Sequence, residues 1–286
     1  MDQRLIDLYD DYTHRHLDRR LFLERAARLA GGSAAAAALL PLLQANAAAA
    51  GQVPTDDDRL QSGRVEFPGA AGPVKGYLAR PKGDARLPGI VVIHENRGLN
   101  PHIEDVARRA ALAGFVALAP DLLSGSGGTP ADEQAAMAGI KALDRGQAAA
   151  ELKAAIAWLR GRPDATGKVG AVGFCWGGGM ANLLATASDI DAVTVFYGAV
   201  PAADAVARIK APLLLNYAGL DTRINADLPA YEAALKKAGV RYTLYVYEGV
   251  NHAFHNDTSA ARYDATAAKL AWQRTIAFFD ATLKSA

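Results

Sequence analysis

The one cysteine of the chain, Cys175, stands in Gly173-Phe174-Cys175-Trp176-Gly177. An apolar run over 169–174 leads into it, and three glycines, Gly177, Gly178 and Gly179, follow. This has the form of the G-x-S-x-G nucleophile elbow with sulfur in place of oxygen: strand, sharp turn, helix, and a reactive atom at the apex. Strand and helix nearly touch at such a bend, so positions two before and two after the apex must lack a Cβ. The first helical turn then offers free N–H groups and a partial positive charge, which favour thiolate over thiol. A buried structural cysteine beside a Gly-rich turn is the bland alternative; paired glycines between a strand and a helix favour the reactive one. The chemistry expected of such a sulfur is acyl-transfer hydrolysis.

A thiol at neutral pH needs a base or an electropositive setting. In α/β hydrolases the chain order is nucleophile, acid, histidine. Only His252 and His255 follow Cys175. His252, in the loop after the last strand, is the expected base, and His255 is expected to face solvent or the loop. The pair His252-x-x-His255 has no third ligand in register, so no metal is expected. Asp221, ending Leu213-Leu214-Leu215-Asn216-Tyr217-Ala218-Gly219-Leu220-Asp221, is the expected orienting acid. Asp227 is its rival on the next helix, and a plain turn or N-cap role is the structural alternative for Asp221. Glu95 ends a buried apolar strand, where a carboxylate has no structural reason to be, and should face the crevice near the sulfur. The backbone N–H groups of Asn96 and Trp176 are the natural oxyanion pair.

The elements that position these residues alternate. Strands are expected over 64–67, 74–79, 89–94, 115–119, 169–174, 192–197, 213–217 and 241–247, with helices over 103–113, 134–143, 148–159, 178–187, 227–238 and 263–283. Alternation of this kind means a doubly wound, mostly parallel α/β sheet with helices on both faces. Ligands bind beyond the C-terminal strand ends of such sheets, where Glu95, Cys175 and Asp221 all fall.

The 286 residues carry a formal net charge of +1 and no long basic stripe, so nucleic acid is not an expected partner. One cysteine excludes an intrachain disulfide framework. No apolar run is long enough for a spanning helix, so no stable membrane insertion is expected. Residues 1–55 differ in kind from the domain expected over 56–286. Asp18-Arg19-Arg20-Leu21-Phe22-Leu23-Glu24, an alanine-rich stretch at 34–43 and Ala45-Asn46-Ala47 have the outline of a twin-arginine export signal with a cleavage site. Export to the periplasm is one expectation. The other is a cytoplasmic chain that retains the leader, with an amphipathic helix over 18–30 packed on the body or on a second copy in a homodimer. Asp56-Asp57-Asp58 reads as a solvated linker.

Taken together, Val92-Ile93-His94-Glu95 with Asn96-Arg97-Gly98, Ala119-Pro120-Asp121, the Cys175 elbow, Gly219-Leu220-Asp221 and Asn251-His252-Ala253-Phe254 resemble the dienelactone hydrolase family of α/β hydrolases. These motifs run through nearly all of 60–286 in the family's order, and the long-leader branch is most similar. The resemblance implies an α/β-hydrolase fold, a cofactor-free Cys175–His252–Asp221 triad, and a small ester or lactone as substrate. It also implies that Glu95 contacts the resting thiol and takes its proton when substrate binds. Family members carry a carboxylate-binding arginine in the loop that here reads Leu122-Leu123-Ser124-Gly125-Ser126-Gly127-Gly128, and another after the histidine, where Ala253-Phe254-His255-Asn256 stands. Arg97 and Arg223 are the candidate replacements, either of which could instead be a surface ion-pair partner; Trp176 and Phe254 are further expected pocket residues. A thiol redox or sensing protein and a non-catalytic binder are the competing functions on the same scaffold.

Overall fold

The computed structural model describes residues 1–14, 17–44 and 51–284. Eight strands form one sheet: β1 (Leu60–Pro68), β2 (Pro73–Pro81), β3 (Leu87–Ile93), β4 (Val116–Pro120), β5 (Ala165–Phe174), β6 (Ala192–Phe196), β7 (Leu213–Ala218) and β8 (Tyr242–Tyr247). Their order is β1-β2-β4-β3-β5-β6-β7-β8. The first two strands are antiparallel to each other, and β2 is antiparallel to β4; every pairing from β4 through β3 to β8 is parallel. The expected doubly wound α/β-hydrolase sheet is therefore present, with an antiparallel margin.

Before the sheet come α1 (Gln3–His14), α2 (Arg19–Ala30) and α3 (Ser33–Leu43). Within and after it run α4 (Pro101–Leu112), α5 (Glu133–Ala142), α6 (Arg145–Arg160), α7 (Trp176–Ala187), α8 (Thr222–Asn225), α9 (Leu228–Ala238) and α10 (Ala265–Leu283). The central strands read as continuous apolar runs because both faces are covered. Successive side chains of β3 show this: Ile90 and Val92 enter the core beneath α4 and α10, whereas Val91 and Ile93 enter the core beneath α6, α7 and α9. All four are fully buried.

The leader is folded onto this body rather than loose. Leu5, Ile6, Leu8 and Tyr9 of α1 close a third apolar cluster with Phe22 and Ala26 of α2 and Ala36 and Leu43 of α3. The arginine pair, Arg19 and Arg20, opens α2, and Asp18 caps it by accepting from the Leu21 N–H at 2.9 Å. An acidic residue before the arginines thus has a helix-capping reason. The proposed cleavage motif, Ala45-Asn46-Ala47, lies outside the described residues. No single helix among the described residues is long and apolar enough to cross a membrane; α2 and α3 reach that length and composition only as a pair bent by 108°.

Candidate active site

Cys175 sits between β5 and α7 with φ 55° and ψ −116°, a conformation that side chains other than glycine rarely hold. The surrounding glycines explain how it is held. A Cβ on Gly173 would lie 2.0 Å from the Gly177 carbonyl oxygen, so the strand runs directly against the helix start. A Cβ on Gly177 would lie 2.4 Å from the His94 carbonyl oxygen and 2.5 Å from that of Ile93, so the same helix start is pressed onto the end of β3. Two contacts between backbones bring the Asn96 loop beside Cys175. Trp176 opens α7 and stacks over His94 at 5.6 Å, 9° from coplanar. Asn96 and Trp176 are consequently neighbours of the sulfur, both lining its cavity.

The acid and the histidine come from the ends of β7 and β8. Asp221 serves two of the roles expected of it. Its Oδ1 accepts from the Ile224 N–H at 3.1 Å and caps α8, while its Oδ2 lies 2.5 Å from Nδ1 of His252. Burial disfavours the Asp221 carboxylate, but the charge and hydrogen bond of His252 outweigh it and hold the group below its usual range. On His252 burial likewise opposes charge; the Cys175 sulfur and then Asp221 overcome it and push the ring up to about 10 from 6.5. Nε2 of His252 has no hydrogen-bond partner among the described residues, and a ring nitrogen of this histidine lies within 4.8 Å of Sγ.

The loop that carries His252 is tied down just after the histidine. Ala253 takes φ 64°, so the chain turns sharply beneath the imidazole. Asn256 donates from Nδ2 to Glu95 Oε2 at 2.5 Å, and Asp257 accepts from Arg109 at 2.5 Å and meets His102 at 2.9 Å. Glu95 is 1 % exposed and shares a narrow crevice with Cys175 and His252, yet its hydrogen bond goes to Asn256.

Three expectations need correction. His255 does not face solvent: it is 1 % exposed, stacked on Phe174 at 4.9 Å and set against Phe196 and Trp272. Phe254 is fully buried among Phe196, Tyr197 and Tyr247 and lies outside the cavity. The residues after Ala253 therefore form an aromatic layer that supports the loop. Arg97 borders the narrow crevice beside Cys175 but not the main cavity, and its guanidinium is engaged: it is ion-paired with Glu133, and its Nη2 donates to the Tyr9 hydroxyl at 2.9 Å. Arg223, by contrast, lines the cavity, and its buried Nη2 has no hydrogen-bond partner among the described residues.

Sequence reasoning missed one residue altogether. Nε2 of His14, the last residue of α1, lies 3.0 Å from Cys175 Sγ, and its ring meets that of His252 at 4.7 Å. The amphipathic spacing of Leu5, Ile6, Leu8, Tyr9 and Tyr12 was the available signal that α1 docks. Tyr12, Thr13, His14 and Leu17 form one wall of the cavity above Cys175, which measures about 400 Å³. Gln134, Met137 and Lys141 of α5 line it too. His14, Cys175 and His252 place three metal-ligand atoms within 4.8 Å of one another. Two donors bound to one zinc ion sit about 3.5 Å apart, given bond lengths of about 2.0–2.3 Å in a tetrahedron. The 3.0 Å separation of Sγ and Nε2 is that of a direct hydrogen bond.

Comparison with known proteins agrees with this fold. The sequence model of the dienelactone hydrolase family matches residues 74–283, and a second model, described as YqhI-like, matches residues 1–31. A Synechocystis protein named "Putative carboxymethylenebutenolidase" is 34 % identical over 232 residues, covering 74 % of this chain and 93 % of the relative. Among solved structures, a "Putative Dienelactone Hydrolase" from Klebsiella pneumoniae superposes with a TM-score of 0.71 at 28 % identity, over 77 % of this chain and 98 % of that one. A dienelactone hydrolase-like promiscuous phosphotriesterase from metagenomic libraries gives 0.69 at 26 % identity, over 78 % and 99 %. An elbow, an acid and a histidine after β5, β7 and β8 of an eight-stranded sheet thus coincide with a family match over most of the length, and the chain belongs to the dienelactone hydrolase family, whose members are hydrolases of ester bonds.

Proposed function

We propose that the protein hydrolyses a small carboxylic ester or lactone through Cys175, His252 and Asp221. The observation that carries this is the strained Cys175 facing an imidazole that a buried carboxylate fixes at 2.5 Å. The Cys175 sulfur, giving up its proton, attacks the acyl carbon, and the carbonyl oxygen takes the electron pair beside the N–H groups of Asn96 and Trp176. His252, charged at neutral pH because its ring is pushed up to about 10, gives its Nε2 proton to the departing alkoxide. Now neutral, it removes a proton from water, whose oxygen attacks the thioester and releases the acid. Asp221 keeps the ring in one tautomer through both halves.

A cavity of about 400 Å³ suits a small ester or lactone. Arg223, whose buried Nη2 has no hydrogen-bond partner among the described residues, and Lys141 supply positive charge to it, which favours an acyl part bearing a carboxylate. Turnover of p-nitrophenyl acetate by the Cys175→Ala variant tests the assignment. Hydrolysis is expected to vanish; survival of the activity would defeat it. Peroxide-driven oxidation of the thiol without ester turnover in the unaltered protein would favour the sensing alternative instead.

A further inference from the structure

We propose that His14, carried by the N-terminal helix, is a further catalytic residue of this site: it is the base that takes the proton from Cys175. The inference rests on the hydrolase reading above and concerns who removes the thiol proton. The tautomer can be read from the partners. Nδ1 of His14 lies 2.9 Å from the Asp10 carbonyl oxygen, which can only accept, so Nδ1 carries the hydrogen. The Thr13 hydroxyl, also 2.9 Å from Nδ1, donates its own hydrogen to the Tyr9 carbonyl at 3.0 Å and so accepts there too. Nε2 is left with a bare lone pair, aimed at Sγ from 3.0 Å. A thiol there donates S–H to Nε2.

The resemblance gives this task to Glu95, but that carboxylate is held by Asn256. Nε2 of His252 makes no hydrogen bond among the described residues, whereas Nε2 of His14 lies 3.0 Å from Sγ, so the thiol proton meets His14 first. As the S–C bond forms, the S–H bond breaks and its proton passes to His14 Nε2. When the thioester is hydrolysed, the departing sulfur takes that proton back, so His14 ends the cycle neutral. The groups facing it keep the charged form brief. Burial, and then the positive His252 and Arg223, hold the ring well below its ordinary value, and Arg262 adds to this; Glu95, in the same crevice, is the negative group that faces it. Across the neutral range His14 is therefore neutral and able to accept.

Two consequences separate this from a plug that merely covers the site. A leader cut at residues 45–47 would remove the base, so the working protein retains its first helix. His14→Ala should lower kcat for p-nitrophenyl acetate on the order of 10²-fold with little change in KM. Free imidazole added to His14→Ala should restore part of that loss, because the vacated space admits a small base. His14→Phe fills the space and should gain nothing from imidazole. Thermal unfolding of each variant shows whether the body is intact. Activity in His14→Ala equal to or above that of the parent, or an imidazole response no greater than that of His14→Phe, overturns the role of His14 while leaving Cys175 as nucleophile. Activity in Cys175→Ala would instead bring down the hydrolase reading itself.

Discussion

Two regions deliver a histidine to Cys175, and they hold it by different means. At the sheet edge, His252 is placed by the main chain: β8 ends, Ala253 turns at φ 64°, and Asp221 at the end of β7 meets the ring at 2.5 Å. At the leader, His14 is placed by side chains. Arg262 pairs with Asp10 at 2.9 Å and lies 5.2 Å over the Tyr9 ring, the Tyr9 hydroxyl accepts from Arg97, and Tyr12 donates to Gln134 at 2.8 Å. The first arrangement persists for as long as the sheet is folded. The second depends on contacts of about 1 kcal/mol each between α1 and the body. The sheet edge is thus the rigid half of the site, and the leader is the half that local opening reaches first.

The largest expected effect tests the rigid half. Asp221→Asn keeps the cap on α8, because asparagine caps as well as aspartate, and so preserves the fold. It removes the charge facing His252 and favours the wrong tautomer. Activity should fall on the order of 10³-fold or more. The pKa of His252, followed by NMR, should drop below its value of about 10 in the parent. The sign for stability follows the same shift: a folded-state value raised above 6.5 adds stability that is fully present below that pH and is lost as pH climbs to about 10. Asp221→Asn should flatten that alkaline decline in urea denaturation. An unchanged decline would mean that His252 draws its charge from elsewhere.

Next in size is the elbow. Gly177→Ala must place a Cβ 2.4 Å from the His94 carbonyl oxygen, with backbone on both sides and no flexible neighbour to yield. A loss of about 3 kcal/mol in denaturant unfolding is expected, with activity lost along with it. A tolerated alanine would mean that the two backbones are not in the contact described.

How far such features can be read in advance depends on the kind of contact. The elbow leaves a local signature, since a backbone meeting a backbone demands glycine at fixed offsets, and Gly173 and Gly177 stand there. Strands buried on both faces leave another in runs such as Ile90 to Ile93. Asp221 and His252 were legible because both fall just after such strands. His14 left no signature: its partner is 161 residues away, and its place depends on α1 docking through Tyr9 and Asp10. The burial of His255 and Phe254 was hidden for the same reason, because the aromatic layer around them comes from β5, β6, β8 and α10. Arg97 looked available because a guanidinium near a nucleophile is ambiguous until Glu133 and Tyr9 are seen to engage it.

The smallest effect is the one that distinguishes the halves most cleanly. Tyr9→Phe deletes one hydroxyl, which accepts from Nη2 of Arg97 at 2.9 Å, and leaves the ring in its cluster with Phe22. Arg97 keeps its ion pair with Glu133, so no charge is stranded. The cost should be about 1 kcal/mol, and it should fall on the docking of α1 alone. Hydrogen exchange should then quicken several-fold at the amides of α1, while those of β5 and α7 keep their protection. Turnover should decline modestly, because His14 spends less time beside the sulfur while His252 stays in place. If β5 and α7 exchange faster to the same degree, the leader and the sheet edge unfold as one unit, and the contrast between the two histidines is one of position alone.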